Sequence, residues 1–175
     1  MPSLIDIRRR IRTVRNTQQI TKAMKMVAAA RLRRAQDRVV GARPYARMFS
    51  KLLSDVAAAA SQDEQMAAHP LLAQRPEKRI QLILVTADRG LAGAFNSNLI
   101  KAAVKFLAEH QFVTVELELL GRKGRDFFRR REVVISGEAV GLAAKVSYDD
   151  AAGIAKKVME RFRAGEIDSV YILYN

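Results

Sequence analysis

The sequence predicts an α/β protein: a long N-terminal coiled-coil helix followed by a mostly parallel α/β sheet domain. Three observations predict this. A heptad seam runs through the first third of the chain, four short apolar runs rich in branched residues follow, and amphipathic helical patterns lie between those runs.

The seam comprises Leu4, Ile7, Ile11, Val14, Gln18, Thr21, Lys25, Ala28, Leu32, Ala35, Val39, Ala42, Ala46, Phe49, Leu53 and Val56. Spacings of three and four alternate without a slip, the repeat that winds helices around one another. A helix over the seam, Leu4 to Val56, would be a rod of roughly 80 Å. Its partner helix is absent from the pattern of this chain, so the rod is expected to work against something outside itself. Ser3 is placed as its N-cap, with Asp6 three residues later completing a box-like start. Pro44 lies inside the seam, but the register continues through Ala46, Phe49 and Leu53, which predicts a bend and not an end. Gln18, Thr21 and Lys25 interrupt the apolar seam, and Val27 to Ala30 is small enough for a neighbour to approach closely.

Residues 61–78 carry two prolines and mixed polar residues and read as a linker. The period then changes. Arg79–Ala87 reads as a buried strand, Ala94–Glu109 as a helix with Leu99, Ala103, Phe106 and Leu107 on one face, and Val113–Leu120 as a second strand. Arg122–Arg131 reads as a short basic helix, Glu132–Ser136 as a third strand, Tyr148–Ala164 as a helix opened by Asp149 and Asp150, and Ser169–Tyr174 as a fourth strand. Strands alternating with helices make residues 79–175 a Rossmann-like sheet covered on both faces. The chain reads as truncated after its fourth strand.

Composition narrows the function classes. The chain holds no Cys, which excludes disulfides, cysteine zinc sites and thiol chemistry. Aromatics are 6% with no Trp, too few for a base-stacking platform. No apolar run approaches the ~20 residues of a membrane span, and MPSLIDIRRR is unlike a signal peptide. The net charge of +13 is uneven: residues 1–58 hold 14 Lys and Arg against Asp6, Asp37 and Asp55, leaving +2 for the remainder. The positive field belongs to the rod and calls for an anionic partner.

The most site-like segment is Thr86 to Asn96 (TADRGLAGAFN), a glycine-bearing turn between a strand and a helix. Phosphate loops occur there, but this one lacks a third glycine and any Gly-Lys-Ser/Thr ending, so a structural or interface role is favoured. Gly121 to Arg125 (GRKGR) is a second basic turn, where solvated charge is the simpler reading. His69 and His110 occupy unrelated contexts, and no metal site, cofactor site or nucleophile–base pair is expected. Met24 and Met26 read equally as gap-filling apolar residues and as an adaptable contact surface.

Arg15 to Ala29 (RNTQQITKAMKMVAA) closely resembles the N-terminal helix of the gamma subunits of F-type ATP synthases, as do Ala35–Arg38 (AQDR) and Arg43–Ala46 (RPYA). The turn Asp88–Gly93 (DRGLAG), followed by Phe95 and Asn96, resembles the family's segment after its first sheet strand. The resemblance runs over the whole chain in order. Family members continue into a long C-terminal helix that winds antiparallel on the first, so the resemblance implies that this helix is missing here.

It also implies a non-catalytic rotor shaft of the central stalk, coupling proton flow through the membrane ring to ATP synthesis. The shaft turns inside the head of alpha and beta subunits. The globular part sits against the epsilon subunit and the c-ring, peripheral to the cytoplasmic face of the bacterial inner membrane. Lys22, Met24, Lys25 and Met26 then fall near the beta subunits' moving acidic loops, with Arg8, Arg9, Arg33 and Arg34 as further shaft contacts. Lys25 adds a cation where some relatives carry an acid. Asp88, Arg89, Gly90, Gly93 and Asn96 fall in the globular domain's structural or subunit-contact motif. Two rivals are weaker. A nucleic-acid-binding helix would use the charge, but basic-zipper proteins separate their basic region from their zipper. A nucleotide-binding enzyme would need the missing glycine fingerprint.

Overall fold

Ser3 and Asp6 start the first element. The Ile5 N–H donates to Ser3 Oγ (3.1 Å) and the Ser3 N–H donates to Asp6 Oδ2 (3.2 Å), the reciprocal cap the spacing predicts. The computed structural model describes residues 3–60, 69–142 and 147–175. The chain divides into two units, Met1–Gln62 and Asp63–Asn175.

In the first unit, α1 runs from Leu4 to Ala60 and passes through Pro44 without a break. Pro44 has no N–H to offer the Val40 carbonyl, so the rod lacks that one rung. Thr13, Thr17 and Thr21 return their hydroxyls to carbonyls four residues back, at 3.0–3.1 Å. Every residue from Ser3 to Ala59 is exposed. A helix of this length with its apolar seam in water has its stabilising contacts still to make, because helices in proteins owe most of their stability to packing.

The second unit opens with a short 3-10 turn, Pro70–Leu72, capped by His69, whose Nδ1 accepts from the Leu71 N–H at 3.3 Å. Then follow β1 (Arg79–Val85), α2 (Phe95–Glu109), β2 (Thr114–Leu120), α3 (Arg122–Phe128), β3 (Val134–Ala139), α4 (Tyr148–Arg163) and β4 (Ser169–Leu173). The sheet order is β3-β2-β1-β4, with every pair parallel. The chain winds from β1 outward to β3, then crosses to the far edge through α4. This reversal puts the loop after β1 at the point where the strand order switches, the usual ligand or contact position of such sheets.

The two sheet faces differ in chemistry. Leu82, Leu84, Leu117 and Leu119 point to one face and are buried with Leu99 and Ala103 of α2 and Phe128 of α3. Each such large side chain contributes about 1.5–3 kcal/mol by leaving water. The alternate residues point the other way. There Gln81 and Glu118 are buried beneath α4: Lys157 Nζ lies 3.3 Å from Glu118 Oε2, and Arg161 donates to Glu116 Oε2 (2.7 Å) and Gln81 Oε1 (3.1 Å). Burial pulls the Arg161 pKa down, but its bonds to Glu116 and Glu166 outweigh this and hold it above the usual range.

The third strand departs from the sequence expectation of Glu132–Ser136. The helix before it ends at Phe128 and not Arg131, and two turn bonds, Arg131 N–H to Phe128 O and Val133 N–H to Arg131 O, hold the exit until β3 begins at Val134. The strand then includes Gly137, which reads locally as a breaker. Its role is steric. The β2–β3 register shifts between Leu117 and Glu118, Gly137 comes opposite Glu118, and a Cβ there would lie 2.4 Å from the Glu118 carboxylate.

Three carboxyl groups of this unit, Asp126, Glu138 and Asp168, are held below the ordinary carboxylate range, Asp126 chiefly by its bond from Arg125. Asp168 is held below the ordinary aspartate range chiefly by the Arg79 N–H, against a desolvation penalty, with the Lys78 N–H adding to it. Glu138 is held low chiefly by its bond from Arg129, whose Nε lies 2.8 Å from Glu138 Oε1. A carboxyl whose folded pKa is depressed stabilises the fold above its unfolded pKa and loses that contribution as pH falls through the folded value. The melting temperature of this unit should therefore hold from neutral pH to about 5 and fall below about 4. An Asp168→Asn, Glu138→Gln variant should show a shallower fall; an equally steep one would exclude these two groups as its cause.

Candidate functional site

Two surfaces carry the candidate residues, one in each unit. On α1, Lys25 occupies the seam itself, while Lys22, Met24 and Arg8 flank it by heptad position. Arg9, Met26, Arg33 and Arg34 lie on the outer faces. Met24 and Met26, two residues apart, point to different sides of the helix. From Arg8 to Arg34 the set spreads over about 40 Å of rise. The helix therefore does not gather the eight into one patch; it distributes them around and along a rod.

A second apolar row lies off the seam. Ile5, Ile20, Met26, Val27, Val40 and Met48 occupy the heptad positions opposite it, and each is more than half exposed. The row is broken by Arg12, Arg33, Arg34 and Arg47. A coiled-coil partner covers only the seam. A helix apolar on two sides and cationic between them suits a partner helix together with an enclosing surface. The sequence pattern alone hid this row because the stronger heptad signal absorbed the reading.

In the second unit, Asp88, Arg89, Gly90, Gly93 and Asn96 lie at the C-terminal ends of the strands. Asp88 is an internal brace: one carboxylate oxygen accepts from the Arg122 N–H (3.0 Å) and the other from the Gly141 N–H (3.1 Å). It thereby ties the loop after β1 to those after β2 and β3. Asn96 Oδ1 accepts from the Ala87 N–H (2.9 Å) and fixes the loop to α2. Thr86 Oγ1 accepts from the Gly124 N–H (2.9 Å) and donates to the Leu120 carbonyl (3.2 Å), and the Lys123 N–H donates to Ala87 O (3.1 Å). The amides of Arg122, Lys123 and Gly124, which a phosphate at this turn would use, are thus bound within the protein. The Asp88 carboxylate adds a negative charge where an anion would sit.

The braced loop presents its middle to water. Arg89 to Gly93 are exposed, Leu91 fully, and Leu91 takes a positive φ of 59° ahead of Gly93 at 54°. A leucine in that backbone region costs of order 1 kcal/mol. Sequence reasoning missed Leu91 because nothing in DRGLAG announces a strained, outward-pointing leucine. It also missed the groove of about 820 Å³ between α2 and α3, lined by Ile100, Val104 and Phe127 with Lys101, Lys123 and Arg131 at its edges. Its walls belong to two helices whose facing residues no local pattern pairs. Among the described residues neither histidine joins a cluster: His69 caps the 3-10 turn, and His110 Nδ1 lies 2.8 Å from Phe106 O with its ring stacked on Phe106.

A family model described as ATP synthase matches residues 3–175. The chain is 65% identical over 175 residues to an ATP synthase gamma chain of Solibacter usitatus, covering all of this chain and 61% of the relative. It is 51% identical over 175 residues to that of Desulfitobacterium hafniense, covering 60% of it, and 49% identical over 177 residues to that of Anaeromyxobacter dehalogenans strain 2CP-C, covering 61%. The chain thus spans about 60% of the length of these curated relatives. Among solved structures, a chain of the central stalk and c-ring of the Tetrahymena thermophila mitochondrial ATP synthase shares its fold. The TM-score is 0.68 at 24% identity, over 89% of this chain and 65% of that one.

Proposed function

Because the chain belongs to the ATP synthase gamma-chain family, we propose that it is a central-stalk rotor element coupling proton flow to the conformational cycle of the catalytic beta subunits. The observation that carries this reading is α1: 57 residues of continuous helix, exposed from Leu4 to Ala59, apolar on two sides and strongly cationic. Residues 1–60 are half of the shaft, 61–78 the connection, and 79–175 the globular body. The seam takes a second helix. The outer row and its cations face the alpha and beta subunits, and the globular body meets the epsilon subunit and the c-ring. Among the described residues no helix is long and apolar enough to cross a membrane, which suits a peripheral position on the cytoplasmic face of a bacterial inner membrane.

A shaft does work by contacting successive partner conformations with different energies. That requires stiffness along the axis and asymmetry around it; the continuity of α1 supports the first and its two apolar sides the second. Lys22, Met24, Lys25 and Met26 are the contacts nearest the moving acidic loops, with Arg8, Arg9, Arg33 and Arg34 adding charge above and below. The cations raise the encounter rate with an acidic cavity, and that contribution weakens with salt.

The reading is tested by mixing the chain with the alpha and beta subunits of its own ATP synthase at moderate salt, with nuclease present. Co-elution of the chain with both subunits is the expected result. Failure to join them, together with retention of nuclease-sensitive nucleic acid when nuclease is omitted, would overturn it.

A further inference from the structure

Residues 69–78, which lead into β1, are laced onto the far end of the sheet unit. Arg75 Nη1 donates to the Phe162 carbonyl (3.0 Å), and its guanidinium lies 4.8 Å from the Phe162 ring centroid. The Lys78 and Arg79 N–H groups both donate to Asp168 Oδ2 (3.1 and 2.9 Å), and Arg79 Nη2 donates to the Gly165 carbonyl. The Tyr171 hydroxyl donates to Glu77 Oε1 (2.9 Å). These bonds join residues 86 to 94 positions apart in sequence. Their chemistry is apt: Phe162 lies in the last turn of α4 and Gly165 just past it, at the negative end of the helix dipole, and the Phe162 carbonyl accepts Arg75 in addition to the Gly165 N–H (3.1 Å), so two guanidiniums bind there favourably.

The topology gives the lacing a mechanical meaning. Force travelling along the covalent chain from α1 enters the sheet unit through these residues. Without the lacing it would pass beyond β1 only through the packing of the Pro70–Leu72 turn against α4. With it, the load divides among β1, the C-terminal end of α4 and the start of β4, since Asp168 directly precedes that strand and β4 pairs with β1. β1 and β4 are parallel neighbours, so a pull on the start of one and the end of the other loads their ladder bonds together in shear.

We propose that Arg75, Arg79 and Asp168 form a load-bearing anchor that transfers force from the chain of α1 into α4 and β4 as well as β1. Its use in transmitting torque rests on the rotor reading; its mechanical existence does not.

The chain has no cysteine, so Ala57→Cys and Asn175→Cys supply unique handles for pulling the whole protein in an optical trap. The parent carrying only the handles should rupture its sheet unit in one step with no earlier lengthening. Arg75→Ala with Arg79→Ala should add an early, low-force lengthening of up to about 35 Å, the reach of ten freed residues, before a main rupture at unchanged force. Asp168→Ala, made separately, should produce a similar early step, and the preserved main rupture certifies that each variant is folded. Traces from both variants that match the parent would overturn the anchor. So would an early step of the same force and length in the parent. If the early step appears and the chain nevertheless fails to join the alpha and beta subunits, the torque role falls and the anchor stands.

Discussion

Gly121→Ala is expected to unfold the sheet unit. Gly121 joins β2 to α3 with φ at 102°, in the left-handed half of backbone space that an alanine enters only under strain. Space is the larger obstacle. A Cβ there would lie 2.1 Å from the Thr86 carbonyl oxygen, 2.7 Å from its carbon and 2.9 Å from its hydroxyl. Thr86 has no freedom to retreat. Its N–H donates to Leu120 O at 2.7 Å, its hydroxyl bridges Leu120 and Gly124, and the Gly121 N–H itself donates to Ala139 O at 2.8 Å. Relief would separate the ends of β1, β2 and β3 at once. The cost should exceed about 4 kcal/mol, the exceptional range for one substitution, against a total stability of order 5–15 kcal/mol.

Thermal melting followed by circular dichroism reads it: the cooperative transition of the sheet unit should vanish or drop by more than about 15 °C. Gly153→Ala is the control. Gly153 lies within α4 with nothing within 4 Å of an added Cβ, and its substitution should stabilise by up to about 1 kcal/mol. Similar melts for Gly121→Ala and the parent would refute the packing described at the Thr86 turn.

Ile11→Asp combined with Leu32→Asp should abolish the pairing of α1 with a second helix while leaving the sheet unit untouched. Both positions belong to the α1 seam, and in this chain they are 49% and 60% exposed, so charge there costs little in the unassembled protein. Under a partner the situation reverses. Each lost side chain forfeits about 1.5–3 kcal/mol of burial, and each carboxylate must be desolvated without a partner. The sum exceeds about 3 kcal/mol, so the affinity of α1 for a separately supplied second helix, a peptide of the C-terminal helix that family members carry, should fall by more than about 100-fold. Melting of residues 69–175 should not move. Pairing undiminished by the double substitution would mean that the seam is not a binding face.

Local patterns were sufficient for most elements. Ser3 with Asp6, the apolar run of Ile80 to Val85, and the acids of α4 each carry their signal within a few residues, and those elements start within about two residues of their expected positions. The third strand failed because its limits depend on a partner: Gly137 joins the strand by pairing with Glu118 of β2, whose carboxylate fills the space a Cβ would take. The segment 61–78 read as a plain linker. Positions 61–68 fall outside the described residues, and from His69 onward the arginines and backbone amides are committed to α4 and Asp168. In the candidate surfaces, the seam and its cations were legible from spacing. The groove between α2 and α3 was not, nor was the use of Asp88 as an internal ligand.

The division follows the range of the interactions. By itself the sequence determined what depends on neighbours three, four or two residues away: a long cationic helix with an apolar seam, alternating strands and helices, and the family motif from Arg15 to Ala29. Tertiary structure alone decided what depends on residues brought together across the sheet. It made DRGLAG, read from the sequence as a structural or interface turn, a loop braced by Asp88 and presenting Leu91, and it laid a polar layer under α4. It also turned a connecting segment into an anchor. Contacts between residues 30 to 90 positions apart leave no periodic trace in the chain, because either partner alone is an ordinary Asp, Arg or Gly.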